Sequence, residues 1–212
     1  MIETYTAANF KKLCNRLAAQ DPLFKNIIAT HGYPPLWVRP ASFQTLILII
    51  LEQQVSLAAA YAAFKKLKEK IGYVTPPKIL ALSNEELRSC YFTRQKIVYA
   101  RELATTIQSR QLILKKLSAL PDEAIRTTLK KTKGIGDWTV DVYLMHALQR
   151  TDLFPMGDIA LVNSLKHEKG LAPHTTKETL LQIAEPWRPY RTIAAMLLWH
   201  AYIKRKNIKL GV

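Results

Sequence analysis

Apolar residues recur at three- and four-residue spacing along nearly the whole chain, and that period belongs to the α-helix. Amphipathic segments run from Asn9 to Ala19, onward from Asp21-Pro22, from Ser56 to Ile71 with Gly72 as a stop, and from Thr93 to Ser109. Ser42 to Gln54 is apolar nearly all round, the mark of a helix buried on every side. Pro76-Pro77 opens a short helix, and Pro121-Asp122-Glu123 opens another with acids suited to its positive end. Ser83 with Glu86 and Thr175 with Glu178 have the spacing of capping boxes. The last long helix runs from Pro186 to about Lys204, its regular part starting near Pro189. No segment alternates with period two, and the short run Leu112-Ile113-Leu114 lies between helical stretches. The expected fold is all-α, with roughly ten short helices and no repeat or flexible linker.

A chain of 212 residues, 49% of them hydrophobic, can bury the core of one domain or of two small lobes. Its longest apolar run, Leu46 to Leu51, falls well short of the roughly 20 residues needed to cross a bilayer, so no membrane role is expected. Met1-Ile2-Glu3 does not open a signal-peptide pattern. Two cysteines, Cys14 and Cys90, exclude a disulfide framework or a four-cysteine metal site; in apolar helical contexts they read as reduced core residues of an intracellular protein. The compartment would be cytoplasm and nucleoid in a bacterium, or nucleus in a eukaryote. Lys and Arg number 31 against 16 acids, a net charge of +15. Such an excess draws a chain to polyanions, nucleic acid first and an anionic membrane surface second. The basic residues cluster at Lys65-Lys66-Leu67-Lys68, at Lys130-Lys131-Thr132-Lys133, and at Lys204-Arg205-Lys206 with Lys209.

With only seven glycines, their placement is informative. Gly134 and Gly136 fall in Lys133-Gly134-Ile135-Gly136-Asp137-Trp138-Thr139, between a helix ending near Lys131 and one beginning near Asp137. Glycine permits a tight hairpin and leaves amides uncovered at a helix start, where a phosphate oxygen can bind. Lys133 adds attraction, and Thr139 offers a hydroxyl. This is the pattern of a helix-hairpin-helix. About twenty residues on, Phe154-Pro155-Met156-Gly157-Asp158 ends at a new helix start, where Asp158 suits an N-cap.

Residues 129–165 resemble the signature of the helix-hairpin-helix DNA glycosylase superfamily: hairpin, helix, then a Gly/Pro turn carrying the catalytic aspartate. Ile50-Leu51-Glu52-Gln53-Gln54-Val55-Ser56 and Trp187-Arg188-Pro189-Tyr190-Arg191 are similar to its alkylated-base branch, typified by bacterial 3-methyladenine DNA glycosylase II. The likeness spans roughly residues 40–205. It implies two helical lobes with a DNA- and base-binding cleft between them. The middle lobe would cover about 50–155, with the hairpin at about 122–150, and the second lobe about 1–49 with 156–212. That enzyme has an additional N-terminal β domain; this chain is too short for it and shows no strand pattern there, so a compact form without it is expected.

The resemblance assigns catalysis to Asp158, the base pocket to Trp138, Trp199 and Tyr190, and the DNA wedge to Gln53 or Gln54, with Gln54 favoured. Trp187 is expected to pack the core. Backbone binding falls to Lys133, Gly134, Gly136, Asp137 and Thr139. A monovalent cation such as Na+ or K+ is implied on the carbonyls of Lys130, Thr132 and Gly134, and no other cofactor. Where the branch has pocket tyrosines, this chain has Val142 and Ile159. Lyase relatives carry a lysine where Trp138 stands, so a monofunctional enzyme without a Schiff-base step is expected. His146, His167, His174 and His200 lack paired metal-ligand spacing and read as core or surface residues. The partner implied is double-stranded DNA bearing damaged bases, bound by a monomer. The lesions implied are 3-methyladenine and 7-methylguanine. Two alternatives stay open: a non-catalytic helix-hairpin-helix DNA-binding protein, and a glycosylase for deaminated bases such as hypoxanthine.

Overall fold

A computed structural model describes residues 3–208. Lys209, counted above in the C-terminal basic cluster, lies outside the described residues. In chain order the helices are α1 (Phe10–Gln20), α2 (Pro22–His31), α3 (Phe43–Glu52), α4 (Leu57–Ile71), α5 (Pro76–Ala81), α6 (Asn84–Ser89), α7 (Arg94–Gln108), α8 (Leu114–Leu117), α9 (Asp122–Lys130), α10 (Asp137–His146), α11 (Ile159–Glu168), α12 (Lys177–Ala184) and α13 (Arg191–Arg205). A 3-10 turn, Glu185–Trp187, precedes α13. The only extended pairing among the described residues is an isolated antiparallel bridge between Thr4 and Arg150, so the fold is all-α. No described helix is long and apolar enough to cross a membrane.

The chain forms two compact units, residues 39–143 and residues 3–38 with 144–208. This division differs from the expected one at both boundaries, for packing reasons. Helix α3 packs on α4 and α7, so it stays whole in the middle unit. Residues 144–151 hold the N-terminal segment: the Tyr5 hydroxyl donates to the Met145 carbonyl at 2.7 Å, and the Tyr5 amide donates to Gln149.

In the middle unit α3 is buried along nearly its whole length, as its all-round apolar sequence requires. Ser42 caps it, accepting from the Thr45 amide. Its C-terminal end is held by two cations. The Lys96 ammonium donates to the Leu51 carbonyl at 2.6 Å, and Arg39 grips the nearly buried Glu52 through two bonds of 2.7 and 2.8 Å. Burial pulls the pKa of Lys96 below the ordinary lysine value.

In the unit built from both chain ends, α13 is the central element, packed on α1, α2 and α11. Trp187 is buried, its ring edge-on to Phe24 and Phe154 and its indole N–H donated to Asp21 at 3.0 Å. Two expectations need correction here. The capping register at α12 is Thr176 to the Thr179 amide, with Thr175 bonded back to Ala172. The regular part of α13 starts at Arg191, because Arg188, preceding a proline, is held extended.

Candidate active site and hairpin

The hairpin lies wholly in the middle unit. Helix α9 ends at Lys130, the Ile135 amide closes a turn on the Thr132 carbonyl, and α10 begins with the Val140 amide on the Gly136 carbonyl. Gly134 has φ +93°, and a Cβ there would sit 2.1 Å from Cγ of Tyr99. Gly136 is exposed, with nothing within 4 Å of an added Cβ. The two glycines therefore do different things: one shapes the turn, the other leaves the start of α10 open.

Asp137, in the first turn of α10, ties the motif together. It accepts two bonds of 2.9 Å from Lys130 and one of 3.0 Å from Arg126, which also pairs with Asp141. The Lys130 ammonium and then Arg126 hold its carboxyl below the ordinary aspartate pKa. Asp137 thus braces the hairpin from within. Lys133 is exposed and Trp138 half-buried. Thr139 departs from expectation: it is 2% exposed, and its hydroxyl accepts the Gln53 amide N–H at 2.9 Å, so it is turned inward.

Gln53 also departs from expectation. Its Nε2 donates to the Gly134 carbonyl and to Thr139, both at 2.9 Å, so its side chain clasps the hairpin and does not project. Gln54 is exposed, in the left-handed region at φ +58°. Of the two glutamines, only Gln54 presents a side chain outward from the tip of this turn.

Asp158 lies in the other unit. Its amide closes a turn on Pro155, and its Oδ1 accepts from the Leu161 amide at 2.8 Å, capping α11. The same oxygen accepts the Trp199 indole N–H at 3.1 Å. The aspartate is therefore both the cap and a partly exposed carboxylate, at a helix end that favours negative charge. Trp199 in turn stacks on His146, with ring centroids 5.6 Å apart and planes 28° from parallel. His146 is 7% exposed, and its Nδ1–H donates to the Trp37 carbonyl at 2.8 Å. No local sequence signal points to His146, because its partners sit at positions 37 and 199.

Tyr190 does not join this group. Its hydroxyl accepts instead from Arg16 at 2.7 Å. Val142 is buried in the core, whereas Ile159, next to Asp158, is 76% exposed.

The main-chain oxygens at the hairpin suit a monovalent cation in chemistry. The Thr132 and Gly134 carbonyls each accept one protein hydrogen bond and keep a second lone pair, and the buried Thr132 hydroxyl has no partner. Among the described residues no cluster of three or more His, Cys, Asp or Glu side chains could hold a metal ion.

The model of the HhH-GPD superfamily of base excision DNA repair proteins matches residues 47–189. A DNA-3-methyladenine glycosylase of Bacillus subtilis is 30% identical over 196 residues, 86% of this chain and 64% of that protein. The YfjP protein of the same organism is 31% identical over 183 residues, 82% of this chain and again 64% of the relative. The chain thus spans just under two thirds of the length of these two proteins. The 3-methyladenine DNA glycosylase of Schizosaccharomyces pombe, solved with abasic DNA, is similar with a TM-score of 0.81 and 28% identity. That likeness covers 89% of this chain and 95% of the solved one. With its hairpin, its capped aspartate and a family match over most of its length, the chain belongs to the HhH-GPD superfamily of base excision DNA repair proteins.

Proposed function

We propose that the protein is a monofunctional DNA glycosylase that removes alkylated purines, 3-methyladenine and 7-methylguanine, and leaves an abasic site. The observation that carries this reading is the Asp158 carboxylate, fixed by the Leu161 amide and the Trp199 indole at the head of α11. Methylation of a purine ring nitrogen makes the base cationic and a good leaving group. As the N-glycosidic bond breaks, its electron pair goes to the base and positive charge develops on the sugar at C1′. A fixed carboxylate stabilises that charge in a water-poor site. It also orients, or takes a proton from, the water that adds to C1′.

The other residues supply binding. The uncovered start of α10 at Gly136 and the Lys133 ammonium hold DNA phosphates. Gln54 fills the gap left when the base leaves the stack, an extrusion costing a few kcal/mol. Trp138 and Trp199 each offer an indole face to a cationic base, worth about 0.5–2 kcal/mol. The Lys130, Thr132 and Gly134 carbonyls would hold a monovalent cation, whose charge favours the approach of a phosphate. Trp138 stands where a lyase would need an amine, which supports hydrolysis without strand cleavage. Borohydride trapping should therefore yield no protein–DNA adduct.

The decisive test is mass spectrometry of bases released from methylated DNA. The wild type should release 3-methyladenine and 7-methylguanine. Asp158→Asn keeps a competent N-cap, so it should bind DNA as before while excision falls about a thousandfold. Full activity in that variant removes the mechanism. DNA binding by the wild type without base release would make the protein a DNA-binding module.

A further inference from the structure

Four chain segments meet behind the Asp158 carboxylate. The Trp37 carbonyl, in the segment between α2 and α3, accepts Nδ1–H of His146 at 2.8 Å. A carbonyl only accepts, so the proton is on Nδ1, and the bond fixes the rotation of the imidazole. His146 is the last residue of α10, 7% exposed, and its ring lies against the Trp199 indole at 5.6 Å and 28°. Trp199, on α13 and only partly buried, directs its single N–H to Oδ1 of Asp158 at 3.1 Å.

We propose that His146 is a positioning residue for base excision: anchored to the Trp37 carbonyl, it backs the Trp199 indole and so holds that N–H on the Asp158 carboxylate. This rests on Asp158 being the catalytic carboxylate. The His146 ring, itself held by the Trp37 carbonyl, lies against the Trp199 indole and restrains its plane against rotation. Without the backing ring the N–H leaves Oδ1, and the carboxylate loses a donor that fixes its orientation. A displacement of about 1 Å in a catalytic group costs up to a hundredfold in rate. His146 touches neither base nor sugar in this scheme and acts only through Trp199.

The test uses the full chain with four variants, measuring single-turnover excision of 3-methyladenine from methylated duplex and affinity for duplex holding an abasic-site analogue. His146→Leu fills the buried space without a planar face, and its rate should fall about thirtyfold with affinity unchanged. His146→Phe restores a planar face and should recover the rate to within about threefold of wild type. The Trp199 indole 1H–15N resonance, identified by its loss in Trp199→Phe, should shift in the Leu variant and return toward its native position in the Phe variant. The proposal is overturned if His146→Leu keeps the wild-type rate and an unmoved Trp199 resonance while Asp158→Asn abolishes excision. It is also overturned if Leu and Phe lose rate equally with the resonance unmoved. Full activity of Asp158→Asn would instead overturn the reading of Asp158 on which the proposal stands.

Discussion

A methyl group added at Gly134 would lie 2.1 Å from Tyr99 Cγ while the backbone holds φ +93°, so Gly134→Ala meets both a steric and a conformational obstacle. Overpacking of 1–3 kcal/mol and a strained left-handed residue of similar cost add to a destabilisation of about 3 kcal/mol. A thermal or urea melt should show it as a large fall in stability. The opposite holds at Gly136, where an added Cβ meets nothing. Gly136→Ala should change stability by less than about 0.5 kcal/mol. It should nonetheless weaken duplex binding in a fluorescence anisotropy titration, because the methyl stands where a phosphate would approach the amides of α10. If Gly136→Ala binds as tightly as wild type, the uncovered helix start is not the phosphate site. The adjacent glutamines divide in the same way. Gln53→Ala should loosen the hairpin, since it removes two bonds that hold Gly134 and Thr139. Gln54→Ala should leave the fold intact and slow excision from a fully paired duplex more than from a mismatched one, as extrusion costs least where pairing is already weak.

Asp21 shows how one side chain joins three elements: it caps α2 through the Leu23 amide, pairs with Lys169 just past α11, and accepts the indole N–H of the buried Trp187. Burial alone would raise its pKa. Hydrogen bonds from Lys169, Leu23 and Trp187 outweigh that, so the net shift is downward. A carboxyl depressed in the folded state stabilises the fold above its unfolded value near 3.9 and loses that contribution as pH falls through the lower folded value. Asp21→Ala should cost about 2 kcal/mol near neutral pH, from the lost cap and the orphaned indole. Asp21→Asn should flatten the fall in stability below about pH 4, measured by melts across pH. At this scale the sequence was legible where a rule has one solution. The Ser83–Glu86 capping box forms with both bonds in place, and α3 is buried as an all-round apolar helix must be. It was ambiguous where two registers compete: Thr175-Thr176-Lys177-Glu178-Thr179 offers a cap at either threonine, and the Thr176–Thr179 register is the one formed. The cap made by Asp158 was readable because it is local. The contacts of His146 with Trp37 and Trp199 were not, because both partners are distant in sequence. What holds the Tyr190 hydroxyl was equally out of reach, because its partner Arg16 lies 174 positions away.

At the scale of the whole molecule the dominant property is a net charge of +15, and charge alone does not tell DNA from any other polyanion. What separates a specific phosphate contact from general attraction is the response to salt. Each phosphate neutralised by a bound lysine releases condensed counterions and steepens the fall of log K with log salt by about 0.9. Lys133 is exposed in the hairpin turn, immediately before Gly134. Lys25, on α2, is exposed far from it in sequence. Lys133→Gln and Lys25→Gln lower the net charge equally. If the hairpin is the backbone-binding site, Lys133→Gln should reduce the salt slope by close to one and weaken binding on every sequence alike, while Lys25→Gln should leave the slope unchanged. Equal small effects from both variants would mean that the duplex is held by the diffuse field of the molecule, and the hairpin would then have no special claim on the phosphate. Asp137→Asn adds a third arm. It frees Lys130 and Arg126 from their shared carboxylate, which should raise duplex affinity at low salt and lower the stability of the hairpin together.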